Sequence, residues 1–119
     1  MKRLGFVVFA SIIITQIVPV HAAPVQVTGK ALASALYGHE HKGTFPNGDT
    51  FDVSYDTKGV QYAGGKKTGT VLKATTTEWC GYTKKKTPDY CVLIYRDGST
   101  YTSRDSKTPG VILGTFEVK

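Results

Sequence analysis

The sequence lacks the marks of most enzyme classes. It has no Gly-rich phosphate loop, no nucleophile elbow and no paired-carboxylate motif. Glu40, Asp49, Asp52, Glu78 and Asp89 form no recognisable acid and base pair, because most of them sit in turns, where such side chains cap local backbone amides. Cysteine is scarce, with Cys80 and Cys91 alone. Ten residues lie between them, too many for the Cys-x-x-Cys turn of a thioredoxin-type redox pair. A structural zinc site needs four ligands, and only His39 and His41, with Glu40 between them, could add to the cysteines. Repeats, long linkers and low-complexity segments are absent as well, and no cofactor is implied.

Long apolar runs are also missing, except near the start. Lys2 and Arg3 precede Phe6-Val7-Val8-Phe9-Ala10-Ser11-Ile12-Ile13-Ile14, which is too short for a comfortable membrane span. Val20-His21-Ala22 puts small residues where a signal peptidase reads them, so residues 1–22 are expected to be an export signal cleaved before Ala23. A retained amphipathic anchor is the alternative. The residue directly after the cleavage point is Ala23 and not cysteine, which argues against a lipoprotein anchor, and no transmembrane segment is expected after cleavage.

Residues 23–119 then form one small domain of 97 residues, near the lower end of what builds its own core unaided. Without Lys2 and Arg3, 13 basic residues face 9 acidic ones, a net charge of +4. This bias suits an anionic partner, and it equally suits ordinary solubility. The basic residues cluster at Lys84-Lys85-Lys86 and Lys66-Lys67.

Glycine or proline interrupts the chain every few residues, so one long helix cannot use it. Thr28 is placed to cap a short helix with Ala31, Leu32, Ala35 and Leu36 on one face, and Gly38 is placed to stop it. Strands follow. "TFDVSY" alternates Phe51, Val53 and Tyr55 against polar residues after the turn signal Pro46-Asn47-Gly48-Asp49. "VQYA", "TGTVLKA", "TEWCGY", "YCVLIYR", "STYTSR" and "VILGTFEVK" continue the rhythm. The consecutive apolar Val92, Leu93 and Ile94 predict a central strand covered on both sides. The expected fold is mainly β: one short N-terminal helix on an antiparallel meander of seven or eight strands, closed as a barrel or stacked as a sandwich.

An exported chain meets an oxidising compartment, so a Cys80–Cys91 disulfide is expected, stabilising by about 3 kcal/mol. The bridge would pin a hairpin whose tip carries Lys84, Lys85 and Lys86 between Tyr82 and Tyr90. Aromatic rings beside lysines can stack on a sugar or base while the ammonium groups meet phosphate or sulfate. Trp79, Tyr82, Lys84, Lys85, Lys86 and Tyr90 are therefore the candidate binding residues, although Trp79 beside a disulfide also suits packing against the bridge. His39 and His41 could hold copper or zinc weakly, or belong to an exposed polar link.

"TGKALASALYG", "KGTFPNGDTFDVSYDTKG", and "EWCGY" followed by "YCVLIYRDGSTY" resemble a family of small exported proteins of unknown function from alphaproteobacteria related to rhizobia. The resemblance spans most of residues 28–102 and implies a periplasmic location and a small β fold, not a reaction. "RDGSTYTSR" is loosely similar to periplasmic inhibitors of lysozyme, which are small disulfide-bonded β-barrels. Together these features point to a periplasmic or secreted non-enzymatic binding or envelope protein. An anionic envelope polymer or a protein is its expected partner, and nucleic acid is not. The alternatives are an inhibitor of a cell-wall hydrolase such as lysozyme, or a hydrolase acting on the envelope.

Overall fold

A computed structural model describes residues 23–119; the segment read as an export signal, residues 1–22, lies outside the described residues. A two-residue strand β1 (Val25–Gln26) leads into helix α1 (Gly29–Leu36). Eight strands follow: β2 (Glu40–Thr44), β3 (Thr50–Tyr55), β4 (Val60–Ala63), β5 (Lys66–Ala74), β6 (Trp79–Tyr82), β7 (Tyr90–Asp97), β8 (Thr100–Asp105) and β9 (Ile112–Val118). Each of these eight pairs antiparallel with the next, and β9 returns to β2 from His41 opposite Val118 to Thr44 opposite Thr115. The meander is therefore a closed barrel, not a sandwich. Closure removes the unpaired edges that an open sheet would present. β1 adds to β7 at Gln26 opposite Tyr95 and Val25 opposite Arg96, beyond the reach of β6.

Turn chemistry sets the hairpins. Gly64 and Gly65 join β4 to β5 with φ of 60° and 79°, the positive pair that a tight two-residue connection needs. Along the strands the alternation is as expected, with Tyr55, Leu72, Trp79, Val92, Ile94 and Phe116 buried inside the barrel. In β7 the central-strand expectation holds for Val92 and Ile94 only. Leu93 lies between them on the outer face and is half-buried, because successive side chains point to opposite sides of a barrel wall.

The helix closes one end of the barrel. Its residues Leu32, Ala35 and Leu36 are buried, Leu32 and Leu36 completely. Thr28 occupies the cap position, but its side chain makes no capping hydrogen bond, contrary to the sequence expectation. Instead the Gly29 N–H donates to Thr76 O at 2.8 Å, so the β5–β6 turn satisfies the helix start. At the other end Gly38, with φ of 78°, donates its N–H to Asp56 O at 3.1 Å. The helix is thus tied to two turns at one end of the barrel. Nothing comparable covers the opposite end among the described residues.

Candidate functional site: the open half of the barrel

An eight-stranded barrel is just wide enough to be filled by side chains or to hold one small ligand. Both outcomes occur here, at different depths. Next to the helix, His41 is buried within an aromatic cage, with ring centroids 4.9 Å from Tyr55, 5.2 Å from Trp79 and 4.9 Å from Phe116. Its Nε2–H donates to Ala35 O at 2.8 Å, one of the last helical carbonyls, which have no partner within the helix. Trp79 Nε1 donates to Leu32 O at 3.0 Å. These two bonds fasten the plug to the wall. Burial pushes His41 down to about 4, so its ring is neutral at ordinary pH.

Above this layer the barrel is hollow. A cavity of about 390 Å³ opens toward the end opposite the helix, within the range of small-molecule sites. Phe51, Val53, Tyr55, Gln61, Leu72, Val92, Ser103 and Gly114 line it, with Phe45, Leu113 and Tyr90 at its mouth. The space comes from small residues at inward positions. A side chain at Gly114 would start 3.4 Å from the Phe51 ring and grow into the cavity. Gly81 also faces inward, and there the Tyr90 ring from the neighbouring strand lies so close that any Cβ would collide with it.

Few polar groups face the cavity. Gln61 Nε2 donates to the Tyr55 hydroxyl at 2.6 Å, while Thr68 Oγ1 donates to Gln61 Oε1 at 2.6 Å. This chain fixes Tyr55 as an acceptor toward Gln61 and leaves its own proton free to turn inward. Burial pushes the Tyr55 hydroxyl up to about 12, so it remains protonated and can donate to a ligand. The titratable lining residues His41, Tyr55 and Tyr90 form no nucleophile and base pair. The wall is suited to holding a molecule.

The candidate binding residues are divided among several surfaces. Cys80 and Cys91 are bonded, with Cα atoms 4.0 Å apart at directly opposed positions of β6 and β7. One residue away, Trp79 points to the opposite face, so it packs in the barrel interior and not against the bridge. Tyr82 faces outward, with Lys73 Nζ 5.0 Å from its ring centre. Tyr90 leans over the mouth. Only Lys84, Lys85 and Lys86 form the tip.

That tip is held by Asp89. Its carboxylate accepts from Thr83 N at 3.0 Å and from Thr83 Oγ1 at 2.8 Å, and it pairs with Lys85 Nζ at 3.0 Å. The Lys85 ammonium beside it holds the Asp89 carboxyl below the usual range. Lys84 and Lys86 make no ion pair among the described residues.

His41 is not part of an exposed link, whereas His39 is half-buried at the surface. Each approaches a backbone carbonyl, His39 Nδ1 lying 3.0 Å from Lys119 O, and His41 is among the least exposed residues of the chain. Among the described residues, the one group of three potential metal ligands within reach of one another is Glu78, Cys80 and Cys91, whose two sulfurs are already bonded together. On the outer wall the Asp52 carboxyl beside Glu40 raises the Glu40 carboxyl.

Trp79 and Tyr90, two of the expected binding residues, line this cavity, whereas Phe51, Val53, Gln61, Leu72, Val92, Ser103 and Gly114 were not among them. The available signal was the parity of Ser103 and Gly114, small residues two positions from the inward-facing Tyr101 and Phe116. No protein-family model, curated protein or solved structure matches this chain.

Proposed function

We propose that the chain is an exported, non-enzymatic binding protein that takes a small, largely apolar ligand into the open half of its barrel. The observation that carries this reading is the 390 Å³ cavity, open at one end and lined mainly by aliphatic and aromatic side chains. The Cys80–Cys91 disulfide is consistent with an oxidising compartment, periplasmic or extracellular. Among the described residues no helix is long and apolar enough to cross a membrane.

Titration with the neutral solvatochromic dye Nile red tests the reading. Saturable one-to-one binding is expected, accompanied by a change in Trp79 emission, since Trp79 lines the cavity and is the sole tryptophan. The variant Gly114→Leu should fold and lose the dye. Failure of the wild-type protein to bind Nile red in a saturable way would overturn the proposal.

One observation favours a second reading, in which the chain inhibits a cell-wall hydrolase. The lysine tip is restrained twice, by the disulfide at its base and by Asp89 across its neck, which lowers the ordering cost of inserting it into an acidic cleft. Full lysozyme activity in the presence of micromolar protein would eliminate that reading for lysozyme.

A further inference from the structure

We infer that the ligand is a single-chain amphiphile with an anionic head group, its chain in the cavity and its head at the lysine rim. This inference rests on the reading of the cavity as a binding site and adds the chemistry of the occupant. It starts from the four turns that ring the open end, those following β2, β4, β6 and β8. They and the adjoining strand ends hold Lys66, Lys67, Lys84, Lys85, Lys86 and Lys107, against Asp49, Asp89 and Asp105, with Glu78 reaching the β8–β9 turn to accept from Ser106 Oγ. The opposite end shows no such excess, with Lys58 close to Asp56 and Arg96 next to Asp97.

The acids of the rim are also occupied within their own turns. Asp89 is taken up by Thr83 and Lys85, and Asp105 accepts from Thr108 Oγ1 at 2.6 Å and from Lys107 N at 3.2 Å. Asp49 accepts from Asn47 Nδ2 at 3.2 Å. Five of the lysines, all but Lys85, make no ion pair among the described residues. They lie on three hairpins that adjoin one another around the barrel, so their fields add at one side of the mouth.

The interior requires this division of labour. It holds no charged group, because His41 is neutral and hydrogen-bonded to the plug. A buried anion there would have no counter-charge, and leaving a charge unpaired in an apolar site is very unfavourable. An anionic head must therefore remain at the rim, among the free ammonium groups. The cavity lies near the lower end of the usual size range, which suits one alkyl chain better than the two of a bilayer phospholipid. Phe45, in the turn after β2, and Leu113, at the start of β9, are exposed at the mouth and continue the apolar wall outward.

The test compares dodecanoate, dodecyltrimethylammonium and dodecanol, each below its aggregation threshold, as competitors of Nile red bound to the full mature chain. Dodecanoate is expected to bind about tenfold more tightly than the cation, with an advantage that shrinks as salt is raised. The variant Lys66→Glu/Lys84→Glu/Lys86→Glu should erase this advantage while still binding dodecanol, and Gly114→Leu should bind none of the three. Equal affinities for the three amphiphiles would overturn the anionic head group and leave the cavity reading intact. Binding of neither Nile red nor any amphiphile would overturn both. Co-sedimentation with phosphatidylglycerol vesicles, without binding of monomeric dodecanoate, would overturn the inference in favour of a membrane-surface partner.

Discussion

The two ends of the barrel are built from the same strands and differ in what fills them. At the plugged end, Leu32 and Leu36 enter from the helix, His41 and Trp79 donate to helical carbonyls, and four aromatic rings pack together. At the open end the inward positions include Ser103 and Gly114, the turns carry most of the lysines, and a cavity remains. A domain of this size has a total stability of about 5–15 kcal/mol, and most of it must come from the dry end. The wet end is then free to carry residues that contribute little to folding. That separation lets a small protein keep a hollow.

Substitutions on either side of this boundary should separate sharply. Leu36→Ala removes a completely buried side chain from the plug and should cost about 2–5 kcal/mol in denaturant unfolding. Leu113→Ala at the rim, where the residue is 38% exposed, should cost about 0.5 kcal/mol. Similar losses at the two positions would break the comparison.

His41 makes the plugged end sensitive to acid. The folded protein holds the ring at about 4 against an ordinary value of 6.5, so between these pH values the unfolded chain binds more protons. The contribution is complete above pH 6.5 and declines as pH falls toward 4, by roughly 3 kcal/mol in all. Urea unfolding across that window should show the decline, and His41→Phe should flatten it. Asp56, Asp89 and Asp105, whose carboxyls are held low by local hydrogen bonds or Lys85, lose their contributions only at still lower pH.

The disulfide lies between the two ends, on the outer face of β6 and β7. Cys80→Ser/Cys91→Ser should lower stability by about 3 kcal/mol. It should also loosen the Lys84–Lys86 tip, seen as faster exchange of the Asp89 amide, which is bonded to Gly81 O at 2.7 Å. The smallest effect is expected at the tip itself. Lys84→Ala/Lys86→Ala should leave the thermal midpoint almost unchanged, because neither side chain is paired.

Much of the architecture was legible in the sequence. Gly and Asn in the turns, the two-residue alternation of Phe51, Val53 and Tyr55, and the helical spacing of Leu32, Ala35 and Leu36 each report a local property of the backbone. Closure was not legible, since β2 meets β9 across more than 70 residues and neither strand carries a mark of its partner. The site was hidden for a related reason. An inward glycine or serine signals a hollow only once the wall around it is known to be closed. Trp79, Tyr82 and Tyr90 look like one aromatic group beside the lysines, but strand parity turns Trp79 and Tyr90 toward the cavity and Tyr82 to the outer wall.

On the function proposed above, the open half of the barrel is a binding chamber and the plugged half is not. The most direct measurement is a methyl-resolved NMR titration of residues 23–119 with dodecanoate. Saturable shifts at Val53, Leu72 and Val92, with Leu32 and Leu36 unmoved, are the predicted result. Shifts absent from the three cavity residues, or confined to the outer wall, would contradict it.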